Sequence, residues 1–188
     1  MGGTRARVGS ATRVQTAPRR QGSRLRIQRL TIEPLTSQSF KPFGVLWDVP
    51  RRPASRRTLT YDNGFEAMGK AVIGLIWQPY AGLRFAQLER HFNVTQGFIP
   101  ISGALAVVAV AAPTDPDDPE AVPAPDQVRA FLIDGTVGFR YKVGTWHSLE
   151  RFVLHPPGAT FAIVNVEPNP TQVVDYREEA GVIFEVAL

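Results

Sequence analysis

Three histidines occur in 188 residues, His91, His147 and His155, and two of them stand where a reactive centre could be built. His91 closes the stretch 83–91 (LRFAQLERH), in which apolar and polar residues alternate. Side chains of a strand point to opposite faces in turn, so positions 83, 85, 87, 89 and 91 are expected on one face. That face reads Leu, Phe, Gln, Glu, His, apolar at one end and polar at the other. Glu89 and His91 would then look into one cavity, with Gln96 returning five residues later. His147 follows Gly144 by three residues on a later strand. Two imidazoles, a carboxylate and a carboxamide gathered from separate strands can hold a divalent cation with positions left open for substrate. The same imidazoles can also act as acid or base near neutral pH.

Each of these residues has a plainer reading. A single His at a strand end is commonly a hydrogen-bonded structural residue, and it is the pair with Glu89 and Gln96 that points to chemistry. Gln is a weak metal ligand, which weighs against the cation in particular. His155, beside Pro156-Pro157, reads as a loop residue.

The elements that must position these groups are short strands. Residues 25–32, 71–78, 83–91, 95–101, 104–112, 127–133, 139–141, 152–154, 161–167 and 182–187 are rich in Val, Ile and Phe and separated by Gly, Pro, Asp and Ser. Residues 95–101 and 104–112 read as a hairpin across Ser102-Gly103. A helical turn capped by Thr36 or Ser37 is expected before Pro42, and residues 113–125 (PTDPDDPEAVPAP) read as an acidic surface loop. About ten short strands without alternating helices imply a β-barrel or β-sandwich. The apolar fraction of 44% supplies a core.

Composition removes several function classes. The absence of cysteine excludes thiolate nucleophiles, Cys-ligated zinc and iron–sulfur clusters. G-x-G-x-x-G, P-loop and G-x-S-x-G motifs are also missing. No apolar run is long enough for a membrane span. The net charge of +4 comes from eight arginines within residues 1–32, whereas residues 33–188 hold 13 basic and 17 acidic side chains. A mildly acidic domain is a poor partner for nucleic acid. Residues 1–24 are expected to be a disordered basic tail, and 25–188 the single domain. The expected compartment is the cytoplasm; an Arg-rich, acid-free start is also the composition of an organelle transit peptide.

Glu89-x-His91-x4-Gln96-x6-Gly103 has the spacing of the first metal-binding motif of cupin barrels, H-x-H-x4-E-x6-G, and Gly144-x2-His147 resembles the second. More specifically, Leu88-Glu89-Arg90-His91, Thr95-Gln96, Phe98-Ile99-Pro100 and Gly138-x2-Tyr141-x4-Trp146-His147 resemble the ureidoglycolate lyases. Leu35-Thr36, Phe40-x-Pro42-Phe43-Gly44 and Arg129-Ala130-Phe131 extend the likeness to roughly residues 28–170. The resemblance implies a mainly β, cupin-like barrel of the RmlC jelly-roll type with a few short helices. It implies a homodimer that cleaves ureidoglycolate to glyoxylate and urea in allantoin and purine degradation, and nickel is associated with some members. The family usually carries two consecutive histidines after the Trp; here Ser148 follows His147.

For that reaction His91 and His147 are the candidates for base or metal ligand, and Glu89 for ligand or for the partner that fixes an imidazole tautomer. Gln96 is the candidate for the ureido group and Tyr141 for proton donation. Glu89, His91, Gln96 and His147 form the candidate divalent-metal set. Arg140, Lys142 and Arg90 are candidates for the substrate carboxylate, although alternation sets Arg90 opposite Glu89 and His91. Trp146 reads as a packing residue. The rival reading is a non-catalytic cupin that binds a small carboxylate, and Ser148 favours it. A third is a lyase or hydrolase of the same family acting on another small ureido or hydroxy acid.

Overall fold

β-Branched and aromatic runs bounded by Gly, Pro and Asp turns make fifteen strands among the described residues and leave little room there for helix. The structure is a computed structural model and describes Thr12–Arg13, residues 25–49 and residues 57–188. The strands are β1 (Thr12–Arg13), β2 (Arg26–Pro34), β3 (Gly44–Trp47), β4 (Lys70–Pro79), β5 (Arg84–Phe85), β6 (Gln87–His91), β7 (Gly97–Pro100) and β8 (Ala106–Ala111). They continue with β9 (Arg129–Ile133), β10 (Gly138–Tyr141), β11 (Trp146–Ser148), β12 (Phe152–Val153), β13 (Gly158–Glu167), β14 (Thr171–Asp175) and β15 (Val182–Ala187). One helical turn, α1 (Ser37–Phe40), is capped by Thr36, whose hydroxyl accepts the Ser39 N–H. A second, α2 (Tyr176–Glu179), is capped by Asp175. The expected disordered tail lies outside the described residues apart from β1, whose backbone pairs in parallel with β14.

Two sheets result. The larger runs β1-β14-β6-β11-β8-β9-β2-β15-β5, with β12 attached to β8; the smaller runs β3-β10-β7-β13-β4. The large sheet curls so far that β2, β15 and β5 return across the outer side of its own middle. Leu88, Trp146, Tyr176, Phe184 and the Val107-Ala109-Ala111 row fill the first core, inside that curl. Phe98, Phe131, Phe139, Tyr141 and Phe161, with Val108 and Val110, fill the second, between the two sheets. Strand β8 is buried on both sides, and its alternate residues serve alternate cores. Emptying one such position, as in Leu88→Ala, would cost about 2–5 kcal/mol. This is the mainly β, cupin-like arrangement that the sequence implies.

Two expectations fail. The proposed hairpin across Ser102-Gly103 does not form: β7 pairs with β10 and β13, whereas β8 pairs with β9, β11 and β12 in the other sheet. The turn residues are right, but the chain uses them to cross between sheets. The shared face over 83–91 also breaks. Leu83 and Phe85 pack into the first core together with Leu88, and Phe85 stacks on Phe184 at 5.0 Å. Residues 85 and 88 cannot share a face of an unbroken strand. The break is Ala86, which separates β5 from β6 and accepts the Tyr176 N–H at 2.8 Å.

The outer side of the smaller sheet carries Ile73, Leu75 and Trp77, which are 79%, 73% and 54% exposed, beside Ile99 and Ile101. Trp47 crosses this side over β7. A Cβ at Gly97 would come within 2.1 Å of its ring, so the close approach requires glycine.

Candidate active site

Strand β6 lies between β11 and β14, and its second-core face carries Glu89 and His91. His147 on β11 is directly opposite Glu89, and Thr171 on β14 is directly opposite His91. Gly144, at φ +78°, makes the turn that starts β11, and its N–H donates to the His91 carbonyl at 2.8 Å. Alternation then sends the Trp146 indole into the first core and His147 into the second.

Hydrogen bonds fix both imidazole tautomers. The Thr171 hydroxyl spends its proton on the Asn169 carbonyl at 3.0 Å. His91 Nδ1, 2.9 Å from that hydroxyl, is therefore the donor. Its Nε2 keeps a lone pair, to which the Gln96 amide donates at 3.0 Å. His147 Nδ1 donates to the Thr145 carbonyl at 3.1 Å, so its Nε2 also bears a lone pair when the ring is neutral. That atom is 3.3 Å from Glu89 Oε1, which is 4.0 Å from His91 Nε2. The cluster is enclosed: His147 is 1% exposed, His91 5%, and the Glu89 side chain, at 20%, is the member that reaches furthest towards solvent.

Burial pushes the Glu89 carboxyl up, but His147 beside it, with the charge of Arg151, outweighs burial and holds it down to about 2. Burial, reinforced by the neighbouring His147, lowers His91 to about 3, so its ring is neutral. Tyr141 on β10 stacks on His147, centroid to centroid 4.3 Å at 22°. Its hydroxyl has no hydrogen-bond partner among the described residues, and burial pushes its pKa up, which keeps the proton on oxygen.

The structure thus brings together Glu89, His91, Gln96, Tyr141 and His147. It does not bring the three expected cations there. Arg90 points to the opposite face, where Gln172, Thr114 and the carbonyls of Asp115 and Asp118 accept its N–H groups and Trp146 lies under it. Arg140 forks onto Asp62 on the outer side of the smaller sheet. Lys142 and His155 are exposed. Trp146 packs in the first core, its N–H on Thr114. Ser148 is buried on the face away from the cluster; its hydroxyl accepts from the Ala109 N–H and donates to the Glu150 carbonyl. An imidazole at 148 would not face Glu89, so the missing second histidine no longer argues for the non-catalytic rival.

Sequence reasoning missed Arg151. It lies in the loop between β11 and β12, where a charged residue reads as solvated, yet it is 3% exposed. Its backbone N–H is held by Gln78 and its guanidinium lies 4.1 Å over the Phe98 ring.

His91 Nε2, His147 Nε2 and Glu89 Oε1 are three acceptors drawn together, with ligand atoms of all three residues within 4.8 Å of one another. A lone pair facing a carboxylate at 3.3 Å is repulsive until a positive charge lies between them. Either a proton on His147 or a divalent cation answers this, and two imidazoles with one carboxylate suit a first-row transition metal. The residues present therefore fit a cation.

Fold and site together define a cupin-like β protein with a buried two-histidine, one-carboxylate centre. The family model described as ureidoglycolate lyase matches residues 53–183. A ureidoglycolate lyase from Pseudomonas aeruginosa is 33% identical over 135 residues, spanning 64% of this chain and 75% of that protein. One from Brucella melitensis is 35% identical over 135 residues, 65% and 75% of the two chains. A third, from Azotobacter vinelandii, is 30% identical over 129 residues, 63% and 74%. The chain belongs to the ureidoglycolate lyase family.

Proposed function

We propose that this protein cleaves ureidoglycolate to glyoxylate and urea. The observation that carries the proposal is the meeting of Glu89, His91 and His147 in one buried cluster with Gln96 and Tyr141 at its edge. Family membership supplies the substrate class.

Ureidoglycolate bears a hydroxyl, a ureido nitrogen and a carboxylate on one carbon. Its cleavage needs the hydroxyl proton removed as the C=O bond forms, and a proton delivered to nitrogen as the C–N bond breaks. The Glu89–His147 pair takes the first proton, because a positive charge is what its two facing acceptors lack. Tyr141, whose proton is retained by burial, gives the second to the departing urea nitrogen. The proton on the Glu89–His147 pair then passes to solvent and the phenolate is reprotonated, which resets the site. Gln96 turns its amide N–H to His91, which leaves Oε1 unpaired to accept from the ureido N–H. Glu89, His147 and, once the Gln96 amide turns away from its Nε2, His91 would hold a divalent cation, nickel by family likeness, which when bound supplies a Lewis acid for the hydroxyl oxygen.

The test is to incubate racemic ureidoglycolate with protein as purified, after chelation, and after reloading with Ni²⁺, Mn²⁺, Zn²⁺ or Mg²⁺. Glyoxylate and urea should appear in equal amounts. Ammonia in place of urea would assign a hydrolase, and no release under any condition would overturn the lyase reading.

The functional unit on this reading is a homodimer. The exposed Ile73, Leu75 and Trp77 row, widened by Ile99 and Ile101, is a flat apolar surface of the kind that a second copy covers.

A further inference from the structure

We infer that Arg151 is the residue that grips the substrate's carboxylate, an assignment that rests on the lyase reading above. Among the described residues, nine buried side-chain polar atoms lack a hydrogen-bond partner. Five of them belong to one group: Gln96 Oε1, Tyr141 OH, His147 Nε2, and Arg151 Nε and Nη1. Buried polar atoms are almost always paired, so such a concentration marks a place where something is meant to sit. A buried guanidinium with open N–H bonds is especially costly to leave unmatched.

The surroundings hold Arg151 in position without satisfying it. Gln78 accepts its backbone N–H, Leu149 accepts one N–H of Nη2, and Phe98 supports the face of the guanidinium at 4.1 Å. Phe98, which it covers, packs edge-on against Tyr141 with ring centroids 5.9 Å apart, so Arg151 stands beside the reacting groups, and its charge is felt at Glu89, His91 and Tyr141. The other candidate cations are spent: Arg90 on four partners, Arg140 on Asp62, and Lys142 outside. A carboxylate accepts two N–H bonds from one guanidinium and neutralises it. With the carboxylate on Arg151 and the ureido N–H on Gln96, the reacting carbon is placed against Tyr141 and His147.

The test uses small probes and does not require turnover. Glyoxylate and glycolate, and the neutral analogue glycolamide, are titrated into wild type, Arg151→Met and Arg151→Lys by calorimetry. Wild type should prefer glycolate to glycolamide by at least about tenfold, the worth of one charge-assisted contact. Folded R151M should lose that preference and bind glyoxylate at least about thirtyfold more weakly; R151K, which keeps charge but not the fork, should fall between. In turnover, KM should rise in R151K more than kcat falls. Equal affinity for glycolate and glycolamide in wild type, or unchanged glyoxylate binding in folded R151M, overturns the assignment. Should R151M fail to fold, unchanged glyoxylate affinity in R151K overturns it equally. If wild type binds glyoxylate through Arg151 but releases none from ureidoglycolate, the lyase reading falls and the carboxylate site stands.

Discussion

His147 and Glu89 face each other across the β6–β11 pair, with Nε2 3.3 Å from Oε1 and the imidazole's one N–H turned away to the Thr145 carbonyl. The two residues therefore act as one unit. Glu89→Gln and His147→Ala should each lower kcat by about 10²–10⁴-fold, the usual worth of a positioned acid or base. The double variant should lose little more than either single one. Additive losses in the cycle would separate the pair.

Tyr141→Phe should remove the proton given to the leaving nitrogen while leaving the aromatic packing on His147 intact. The rate should fall by about 10²-fold or more. Because the hydroxyl has no partner in the free protein, the melting temperature should stay level or rise. A Tyr141→Phe protein that turns over at the full rate would exclude the phenol from the chemistry.

Ser148→His restores the residue usual in the family, yet no gain in activity is expected. The side chain at 148 faces away from Glu89, and its hydroxyl holds the Ala109 N–H and the Glu150 carbonyl. Forcing an imidazole there should destabilise the fold by about 1–3 kcal/mol, an overpacking cost. Denaturant melts of the variant measure this directly, and a rise in turnover would contradict the geometry.

These residues mark where the sequence was legible. Period-2 alternation correctly paired Glu89 with His91 and set Arg90 apart, because within β6 the rule holds without a break. Extending it back to Leu83 failed, since Ala86 resets the phase and nothing local announces that. Ser102-Gly103 was legible as a turn but not as a passage between sheets, which only the long-range pairing of β7 and β8 decides. Strands β3 and β14 went unread because β3 is only four residues long and β14 carries polar residues among its valines. Arg151 was invisible for the opposite reason: its burial comes from Phe98 and Gln78, both distant in sequence.

Acid should weaken the Asp62–Arg140 link on the smaller sheet. The Arg140 guanidinium, with help from the Trp47 N–H, outweighs burial and holds Asp62 at about 2, below its ordinary 3.8. A carboxyl depressed in the fold stabilises fully above its unfolded pKa and loses that contribution as pH falls from about 4 towards 2. Asp62→Asn should therefore flatten the acid limb of the stability profile by about 1–2 kcal/mol between pH 5 and pH 2. Parallel profiles for both proteins would remove the link from the account.

Leu75→Lys places a charge in the middle of the apolar sheet face. Light scattering should give twice the 20.7 kDa chain mass for the wild type and the single-chain mass for the variant. The secondary structure should not change, because the side chain is 73% exposed. A wild type that scatters as one chain at micromolar concentration would leave the face without a second copy.

The phase reset at Ala86 makes length, rather than residue type, the guarded quantity of this stretch. Before it, Phe85 serves one interior; after it, Leu88 serves the same interior while Glu89 and His91 serve the other. Removing one residue here would rotate the remainder of the strand by half a turn, sending two polar ligating groups into hydrocarbon and a leucine among the polar side chains of the site. A single-codon deletion would thus exchange the contents of two compartments at once, which no single substitution at 84–87 can do.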